Sequence, residues 1–493
     1  MINPIKHLYF QAGLNADSVA TRRLGGALTY GQLLTLVRGI ACKLRARGIK
    51  PGQVVVTCLK SQYTDWIFNL AVMHEAAVTC SNHGFMAFPA ELEPDFVVTE
   101  RLLPDHSMDG QIVIDDAWLQ DLPAVPEDFS PESYGSEDGL FRLVLTSGTT
   151  GQSKIVGLTV GEMYARYSGN PSASGPTQRE FCFLALSTLV GFKEAFSHLM
   201  WGATFFHAAS YQEVVKLVEA YRIECLCGSP IQLAGLLAEM ERTMTRLPSL
   251  KVVWYGGGEA SPRLVEKMRR DLCPSVICRY GSTEVGGVAM FCVHDPAVQK
   301  GMVGYIVPEA TIQIVDANHM TMGIGEEGAI RIKSRGMATG YYKNPSETRR
   351  SFLDGWFYPG DRGRTLKSGA LILSGRVSEL INRGGIKIDP MDIDSCVQDY
   401  PGVKDAAAFS FENLLGLEDV CVAVVVEDGC DINELQKHAA RMLGADKCPS
   451  VFLRVSDLPR NPMGKPMRKQ LRDQLGEGLR RTLQQRSRAS TPK

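Results

Sequence analysis

Two short apolar runs in this chain each end abruptly in a glycine-rich polar segment. Phe141–Leu145 leads directly into residues 146–151, of sequence TSGTTG, and Lys251–Tyr255 leads into residues 256–259, of sequence GGGE. Apolar runs of this length bounded by turn residues are typical of buried strands. The sequence therefore predicts two units in which a strand feeds a polar loop.

Other stretches carry helical and β patterns. Tyr30–Ala46 repeats apolar residues at helical spacing, and Val54–Cys58 predicts a strand. Residues 100–140 are rich in Pro, Asp and Ser, which predicts surface loops. From about residue 300 to 375, glycine alternates with short β-like segments, which predicts a small, twisted β subdomain.

The chain length and a change of pattern near Gly375 predict two domains. The 493 residues exceed the usual size of a single domain. The segment after Gly375 has its own helix and strand pattern, including Val420–Val426. We predict an α/β fold in which residues 1–376 form a large N-terminal domain and residues 377–493 a small α+β C-terminal domain. The large domain is expected to hold two α/β sheets plus the small β subdomain.

Composition excludes several classes of partner. The formal net charge is -1, so nothing indicates a nucleic-acid or membrane-surface binder. No apolar run is long enough to cross a bilayer. The 13 cysteines show no CxxC pair or metal-ligand spacing, which is typical of reduced, buried thiols. We expect no nucleic-acid partner, no membrane span and a cytoplasmic location.

The segment from Thr146 to Lys154 could bind phosphate. Its glycines allow the backbone to approach a ligand closely, and its five hydroxyls and backbone N–H groups can surround phosphate oxygens. Lys154 adds a positive charge. The spacing is not that of a Walker loop. An ordinary turn between a strand and a helix is the alternative.

Four further segments suggest a nucleotide site, although each has a structural alternative. Tyr280 offers a flat face for a base and Glu284 an oxygen ligand for magnesium, but they could be a core tyrosine and a surface glutamate. Asp361 follows a Pro-Gly turn and could accept ribose hydroxyls, or it could be a turn residue. Arg376 lies before a Gly-Gly pair at the predicted domain boundary. Lys465 lies on a Pro- and Gly-rich loop, where lysines are usually solvated.

Together and in this order, the five segments resemble the adenylate-forming superfamily. That superfamily includes acyl- and aryl-CoA synthetases, the adenylation domains of peptide synthetases and beetle luciferase. The resemblance extends from residues 28–33, of sequence LTYGQL, to Gly464-Lys465. It implies activation of a carboxylic acid by ATP and Mg²⁺, with an acyl-adenylate as product and pyrophosphate released.

The resemblance also implies a role for each matched position. Lys465 would bridge the acyl carboxylate and the α-phosphate, Thr283 would contact the α-phosphate, and Glu284 would bind the metal. Tyr280 would stack on the base, and Asp361 would bind the ribose. The implied ATP site comprises Thr146, Ser147, Gly148, Thr149, Thr150, Gly151, Lys154, Gly258, Glu259, Tyr280, Gly281, Asp361 and Arg376.

A mobile C-terminal domain is part of the same resemblance. After adenylation it would rotate, withdraw Lys465 and bring Gly384 and Gly385 to the site, which opens a channel for a thiol. The hinge would be Ser378, where relatives usually have Asp or Lys. Rotation depends on backbone freedom, so we expect function to survive this difference.

The implied acyl pocket departs from that of amino-acid-activating relatives. Its matched positions are Leu189, Lys193, Gly257 and Gly286. Leu189 stands where those relatives have an Asp that binds the substrate ammonium, so an α-amino acid is disfavoured. Lys193 could pair with a second carboxylate or polar group of the substrate, or it could be an exposed lysine beside Glu194.

The leading functional prediction is an acid–thiol ligase that transfers the acyl group to coenzyme A. A close alternative transfers it to the phosphopantetheine thiol of a separate acyl carrier protein. A non-catalytic nucleotide- or acyl-binding protein is disfavoured by retention of Lys154, Glu284, Asp361 and Lys465. No sequence feature supports an oxygenase of luciferase type. Aryl, medium-chain and small branched or dicarboxylic acids all remain open as substrates.

Overall fold

The structure is a computed structural model. It describes residues 2–82, 88–103, 110–146, 154–168, 179–258, 260–293, 299, 301–376, 379–383, 386–412, 418–461, 464–476 and 478.

The first part of the chain builds a six-stranded sheet with helices packed against it. The elements are α1 (Lys6–Leu14), β1 (Val19–Arg23), β2 (Gly26–Thr29), α2 (Tyr30–Ala46), β3 (Val54–Cys58), α3 (Gln62–His74), β4 (Val78–Ser81), β5 (Phe96–Thr99), β6 (Gln111–Val113), α4 (Asp116–Gln120), β7 (Leu140–Thr146), β8 (Lys154–Thr159) and α5 (Val160–Ser168). The strand order in the six-stranded sheet is β6-β5-β3-β4-β7-β8, parallel throughout except for the antiparallel β7–β8 pair.

The middle of the chain adds four parallel strands and the helices between them. The elements are β9 (Glu180–Cys182), α6 (Leu189–Trp201), β10 (Phe205–Phe206), α7 (Tyr211–Tyr221), β11 (Cys225–Gly228), α8 (Pro230–Thr243), β12 (Val252–Gly256), α9 (Pro262–Asp271), β13 (Ser275–Ser282) and β14 (Gly286–Cys292). The four parallel strands, in the order β9-β11-β12-β13, begin a second sheet, and β14 extends it antiparallel to β13. Strand β10 joins β1 and β2 in a separate three-stranded sheet.

The glycine-rich strands that follow continue this second sheet to twelve strands, so the β subdomain expected from the sequence shares its hydrogen bonding with the α/β layer. All of these later pairings are antiparallel. The elements are β15 (Met302–Ile306), β16 (Ala310–Val315), β17 (Gly328–Ser334), α10 (Pro345–Ser351), β18 (Phe352–Leu353), β19 (Trp356–Phe357), β20 (Asp361–Thr365) and β21 (Ala370–Arg376).

The C-terminal part packs around apolar clusters of its own, on both faces of a three-stranded sheet. Residues 468–476 are helical. The named elements are β22 (Ile381–Arg383), β23 (Ile386–Ile388), α11 (Pro390–Gln398), β24 (Val403–Glu412), β25 (Glu418–Val426), α12 (Ile432–Leu443) and β26 (Val451–Arg454). The predicted α/β fold, with a large multi-sheet N-terminal domain and a smaller C-terminal one, is confirmed.

Helix α6 is the element that connects core to cleft. Phe192 and Phe196 are buried in the largest apolar cluster, together with side chains of α1, α2 and α3. The helix begins at an N-cap, Thr188, whose side chain accepts a hydrogen bond from the backbone N–H of Gly191 at 3.0 Å. Burial of these aromatic rings fixes the position of the helix, and Lys193, the residue after Phe192, lies at the wall of the cleft.

The loop prediction for residues 100–140 is wrong in two places. Residues 111–113 form an edge strand and residues 116–120 a short helix. Both elements are too short to show a hydrophobic period, and the helix is instead set by its N-cap Asp115, which accepts from the backbone N–H of Trp118 at 2.7 Å. Within the described residues, no helix is long and apolar enough to cross a membrane.

Candidate active site

One large cleft runs between the two sheets and the C-terminal part of the chain. Every described residue that the sequence analysis assigned to a site lines it: Thr146, Lys154, Leu189, Lys193, Gly257, Gly258, Tyr280, Gly281, Thr283, Glu284, Gly286, Asp361, Arg376 and Lys465. The remaining assigned residues lie outside the described part of the chain: Ser147, Gly148, Thr149, Thr150, Gly151, Glu259, Ser378, Gly384 and Gly385.

Asp361 lies at the centre of a three-residue group at the start of β20. Its Oδ2 accepts a hydrogen bond from the Tyr280 hydroxyl at 2.6 Å, and its Oδ1 accepts one from Arg376 Nε at 2.9 Å. Asp361 on β20 pairs directly with Arg376 on β21. Tyr280 lies on β13 of the same sheet. Burial and the adjacent Asp361 raise the pKa of Tyr280 well above its usual value, so the phenol stays protonated and fixes its ring.

Backbone geometry next to Tyr280 requires glycine. A Cβ added to Gly281 would lie 2.0 Å from the carbonyl oxygen of Gly286, at the irregularity in the β13–β14 pairing. No side chain fits at that distance, so the two strands approach closely. The turn between them holds Thr283 and Glu284 at the cleft.

Arg166 holds the Thr283–Glu284 turn in place through hydrogen bonds to its backbone. Its guanidinium donates to the carbonyl oxygens of Thr283 and Glu284, both at 2.9 Å, and to that of Gly336 at 2.7 Å. The side chain is buried, and burial lowers its pKa to about 10, so it remains charged at neutral pH. The Glu284 carboxylate is held separately, because its Oε1 accepts from the Tyr341 hydroxyl at 2.8 Å.

Lys154 and Thr146 are neighbours across the β7–β8 pair, so the predicted phosphate segment connects two antiparallel strands rather than a strand and a helix. The Lys154 ammonium lies 2.6 Å from Glu347 Oε2 and 4.8 Å from the centre of the Tyr341 ring. The Tyr341 side chain therefore lies between the Lys154 ammonium and the Glu284 carboxylate, and contacts both. A polyphosphate placed between them would meet one cation and one metal-ligating oxygen.

Lys465 enters the cleft from the C-terminal part. Its loop is closed by reciprocal contacts with Asn461, whose side chain accepts from the Lys465 N–H at 2.9 Å and whose backbone N–H donates to the Lys465 carbonyl at 3.0 Å. Gly464 packs on the start of α8, where an added Cβ would lie 2.3 Å from Ile231 Cγ2. The loop is therefore docked directly against the N-terminal part.

The Lys465 ammonium is held by Glu379 Oε1 at 3.2 Å, and Arg468 Nε lies 3.3 Å from the other oxygen of that carboxylate. Burial and the nearby Arg376 lower the pKa of Lys465, while Glu379 opposes the shift. Burial alone would raise the pKa of Glu379, but Lys465, Arg468 and Arg376 outweigh it and lower that pKa. Positive side chains thus cluster where an anionic ligand would enter.

The site fits Mg²⁺ held together with a polyphosphate. Among the described residues no group of three or more His, Cys, Asp or Glu could bind a metal alone. Mg²⁺ typically takes one or two carboxylates and completes its shell with phosphate oxygens and water. The Glu284 carboxylate, oriented by Tyr341 and lining the cleft, has the chemistry that such a ligand requires.

The Lys465 loop of the small C-terminal part packs against the two-sheet N-terminal part near Tyr280, Asp361 and Arg376, an arrangement that fits an adenylate-forming enzyme. Two family models match the chain: AMP-binding enzyme over residues 9–342 and AMP-binding enzyme C-terminal domain over residues 392–465. The chain belongs to the AMP-binding enzyme family, and it is an AMP-forming ligase.

Two curated relatives span nearly the whole chain at low identity. A 2-succinylbenzoate–CoA ligase of Bacillus licheniformis is 26% identical, with 94% of this chain and 98% of that protein covered. A fatty acid–[acyl-carrier-protein] ligase of Mycobacterium marinum is 26% identical, with 95% and 96% covered. The solved O-succinylbenzoate coenzyme A synthetase of Bacillus subtilis, in complex with ATP and magnesium, has a TM-score of 0.81 at 22% identity, with 95% and 99% covered.

Sequence reasoning missed two groups of functional side chains. Arg166 and Tyr341 act on the Thr283–Glu284 turn from sequence positions more than fifty residues away, so no local motif marks them. Trp254 lies in a buried strand and has the pattern of a core residue, but it lines the cleft. Arg279 directly precedes Tyr280 in a segment that the sequence analysis did recognise, but successive strand residues point to opposite faces, so strand alternation gave no reason to place Arg279 beside Tyr280 in the cleft.

Proposed function

We propose that this protein activates a carboxylic acid with ATP, forms an acyl-adenylate and pyrophosphate, and then transfers the acyl group to the thiol of coenzyme A. One observation carries the proposal: Lys465, from the C-terminal part, lies beside the Tyr280–Asp361–Arg376 group of the N-terminal part. A cation of the C-terminal part thus lies beside side chains whose chemistry suits ribose and phosphate, which supports a catalytic role for Lys465.

In the first half-reaction a substrate carboxylate oxygen attacks the α-phosphorus of ATP, and the bond from that phosphorus to the pyrophosphate oxygen breaks. The carboxylate is already ionised at neutral pH, so no general base is required. Lys465 stabilises the negative charge that builds between carboxylate and phosphate. Bound Mg²⁺ would neutralise phosphate charge, with Glu284 as its protein ligand.

Residues of the N-terminal part hold the nucleotide in this proposal. Tyr280 stacks on the base, and the Asp361 carboxylate accepts the ribose hydroxyls while Arg376 fixes its orientation. Lys154 exchanges its partner Glu347 for the β- and γ-phosphates. Thr283 contacts the α-phosphate on a turn that Arg166 immobilises.

The second half-reaction requires Lys465 to leave the site. The thiol sulfur attacks the acyl carbon, the thiol proton is lost, and AMP departs with the electrons of the acyl–oxygen bond. We propose that the C-terminal domain, residues 377–493, rotates about Ser378 and presents Gly384 and Gly385 at the thiol channel. The separate apolar cores of the C-terminal part support movement as a unit.

The acceptor has a second candidate. Relatives of similar identity and coverage include both CoA ligases and acyl-carrier-protein ligases. The alternative acceptor is therefore the phosphopantetheine arm of a separate carrier protein, after the same adenylation. A non-catalytic binding role is disfavoured because Lys154, Glu284, Asp361 and Lys465 all line one cleft.

The test is pyrophosphate release with ATP and Mg²⁺ across a panel of carboxylic acids, each with and without CoA. Sustained release that CoA stimulates for one class of acid supports CoA as acceptor. Release that stops after one turnover despite CoA supports a carrier protein instead. No release with any acid, combined with tight ATP binding by calorimetry, contradicts the proposed enzyme and favours a binding protein.

A further inference from the structure

A second polar group lines the cleft away from the nucleotide residues. It comprises Lys193 and Glu194 of α6, Trp254 of β12 and Arg279 of β13. Lys193 Nζ lies 3.3 Å from Glu194 Oε1, and an Arg279 guanidinium nitrogen lies 3.6 Å from the same oxygen. The Arg279 guanidinium also stacks 4.0 Å above the centre of the Trp254 ring. We name these four residues the acyl-end cluster.

The acyl-end cluster contains buried polar atoms that have no hydrogen-bond partner among the described residues. Glu194 Oε2 is one, on a residue that is 1% exposed, and Trp254 Nε1 is another, on a residue that is 9% exposed. Buried polar groups are nearly always paired, and leaving one unpaired is destabilising. Both residues line the cleft, so a ligand that reaches these enclosed atoms through a small side-chain shift would supply the missing partners.

The charges of the acyl-end cluster favour an anion. Burial alone would raise the pKa of Glu194, but Lys193 and Arg279 outweigh it and lower that pKa, so the carboxylate is ionised. Burial lowers the pKa of His198, which leaves that ring neutral. Lys193 and Arg279 therefore approach a single carboxylate oxygen, and an acceptor placed beside it meets both cations and the indole N–H of Trp254.

The alternative is that the ion pairs of Glu194 with Lys193 and Arg279 have a purely structural role and stabilise the position of α6. An ion pair alone does not explain the unused indole N–H, since a buried tryptophan N–H usually has a hydrogen-bond partner. A substrate that carries an acceptor accounts for it, and Lys193, 12% exposed, lines the cleft in which that substrate would lie.

We propose that the acid activated by this protein carries a second carboxylate, which Lys193 binds together with Trp254 Nε1 and Arg279. The inference deepens the proposed function and rests on it. The first carboxylate is activated at Lys465 and the second is held at the acyl-end cluster, so the substrate class is a dicarboxylic acid. Glu194 keeps the two cations in place and accepts a hydrogen bond if the substrate offers a donor.

The test compares matched acids in the pyrophosphate assay. Each dicarboxylic acid of four to eight carbons is paired with its monomethyl ester and with the monocarboxylic acid of equal chain length, and terephthalic acid is paired with p-toluic acid. For the best pair, kcat/KM of the wild-type enzyme should favour the dicarboxylic acid by at least about tenfold, since sites built around hydrogen bonds reject analogues that lack the acceptor.

The variant is Lys193→Met, which keeps the length of the side chain and removes its charge. It should reduce the preference for the dicarboxylic acid at least about tenfold, mainly through KM, because the lost contact is present in ground and transition states alike. Lys193→Arg should retain the preference. Lys216→Met, which removes an exposed lysine of α7, should leave the preference unchanged.

The outcomes separate the two proposals. Adenylation of monocarboxylic acids at equal or better efficiency than their dicarboxylic partners overturns the substrate class but leaves the proposed enzyme intact. An unchanged preference in Lys193→Met overturns the role of that lysine. If Lys193→Met loses all activity but still binds ATP in calorimetry, the variant is folded, and the preference of the wild-type enzyme between the paired acids decides the substrate class. Silence of the wild-type enzyme with every acid overturns both proposals.

Discussion

Asp361 has both carboxylate oxygens engaged, one by Tyr280 and one by Arg376. Each oxygen has a second lone pair, so the carboxylate can accept a ribose hydroxyl at each oxygen without releasing either neighbour. The three side chains therefore form a prepared surface for the sugar and the base. Lys465 differs, because its contact with Glu379 must be exchanged for the substrate carboxylate before it can act.

Replacement of Lys465 by Ala should reduce the rate of adenylation by about 10²–10³-fold, as expected for removal of one charge that stabilises a transition state. ATP binding should persist, because Asp361, Tyr280 and Lys154 remain. Pyrophosphate release and ATP calorimetry check the two parts. Lys437→Ala, on the exposed side of α12, is the control and should behave as wild type. Full adenylation by the Lys465 variant would contradict the assignment.

Replacement of Tyr341 by Phe should raise the Mg²⁺ concentration for half-maximal activity by about tenfold, the usual scale for loss of a residue that orients a metal ligand. The ring that packs against Lys154 is kept, and only the hydroxyl that donates to Glu284 at 2.8 Å is lost. A titration of activity with Mg²⁺ at fixed ATP measures the change. Tyr342→Phe, at the adjacent position, is the matched control; an equal shift in both variants would contradict the specific role.

Residue-level prediction from the sequence succeeded where a motif is local and failed where the fold supplies the contact. Tyr280 and Glu284 lie in one short segment, so their types and spacing are visible together. Arg166 reaches that segment from 117 residues away, through hydrogen bonds to backbone oxygens. Nothing in its neighbourhood in the sequence distinguishes such an arginine from a surface arginine on an amphipathic helix.

Element-level prediction followed the strength of the hydrophobic period. The helix over Tyr30–Ala46 and the strand over Val54–Cys58 match their predicted bounds, since each buries one continuous apolar set. A capping box at Thr29, with Gln32 as its reciprocal partner, sets the start of that helix. Elements of three to five residues between 100 and 140 carry no such period and were missed.

Asp389 at the start of α11 provides a prediction at this scale. Burial raises its pKa to about 6, and Asp392 adds to the shift, although the side chain caps the helix by accepting from the Met391 N–H at 2.9 Å. A carboxyl whose folded pKa lies above its unfolded value of 3.8 binds its proton more tightly when folded. Ionisation therefore costs stability as pH rises from about 4, and the full cost is present above about 6.

Asp389→Asn should increase the stability of the C-terminal domain by about 1–2 kcal/mol at pH 7.5, because Asn caps a helix as well as Asp does and carries no charge. The gain should disappear near pH 4. Scanning calorimetry of the full chain across that range measures it. Asp431→Asn, at the exposed N-cap of α12, is the matched control and should show no such dependence on pH. A gain of equal size at both pH values would contradict the explanation.

At the scale of the whole molecule, the glycine-rich second sheet and the docked C-terminal part create the site together. The sequence predicted both domains, because each has its own pattern, but no periodicity encodes how two separately packed units meet. The structure shows a meeting point at Gly464, whose backbone has a φ of 78° and whose Cα faces Ile231 on α8. Contact there sets the reach of Lys465 into the cleft.

Gly464→Ala should slow adenylation by about tenfold, because the new methyl group lies 2.3 Å from Ile231 Cγ2 and pushes the Lys465 loop outward. Thioester formation from supplied acyl-adenylate should stay within about twofold of wild type, because in our proposal that step uses the rotated domain. The two half-reactions, measured separately, distinguish a docking defect from general damage.

Any residue other than glycine is strained at the positive φ of position 464. The loss of the docking contact must therefore be separated from this local backbone strain. A double-mutant cycle with Ile231→Ala does so. Removal of the Ile231 side chain should restore at least about threefold of the lost adenylation rate in the double variant, because only the clash between domains is relieved. If Ile231→Ala restores nothing, the defect arises within the loop. If both half-reactions slow equally, the substitution has caused general damage, and the docking explanation is wrong.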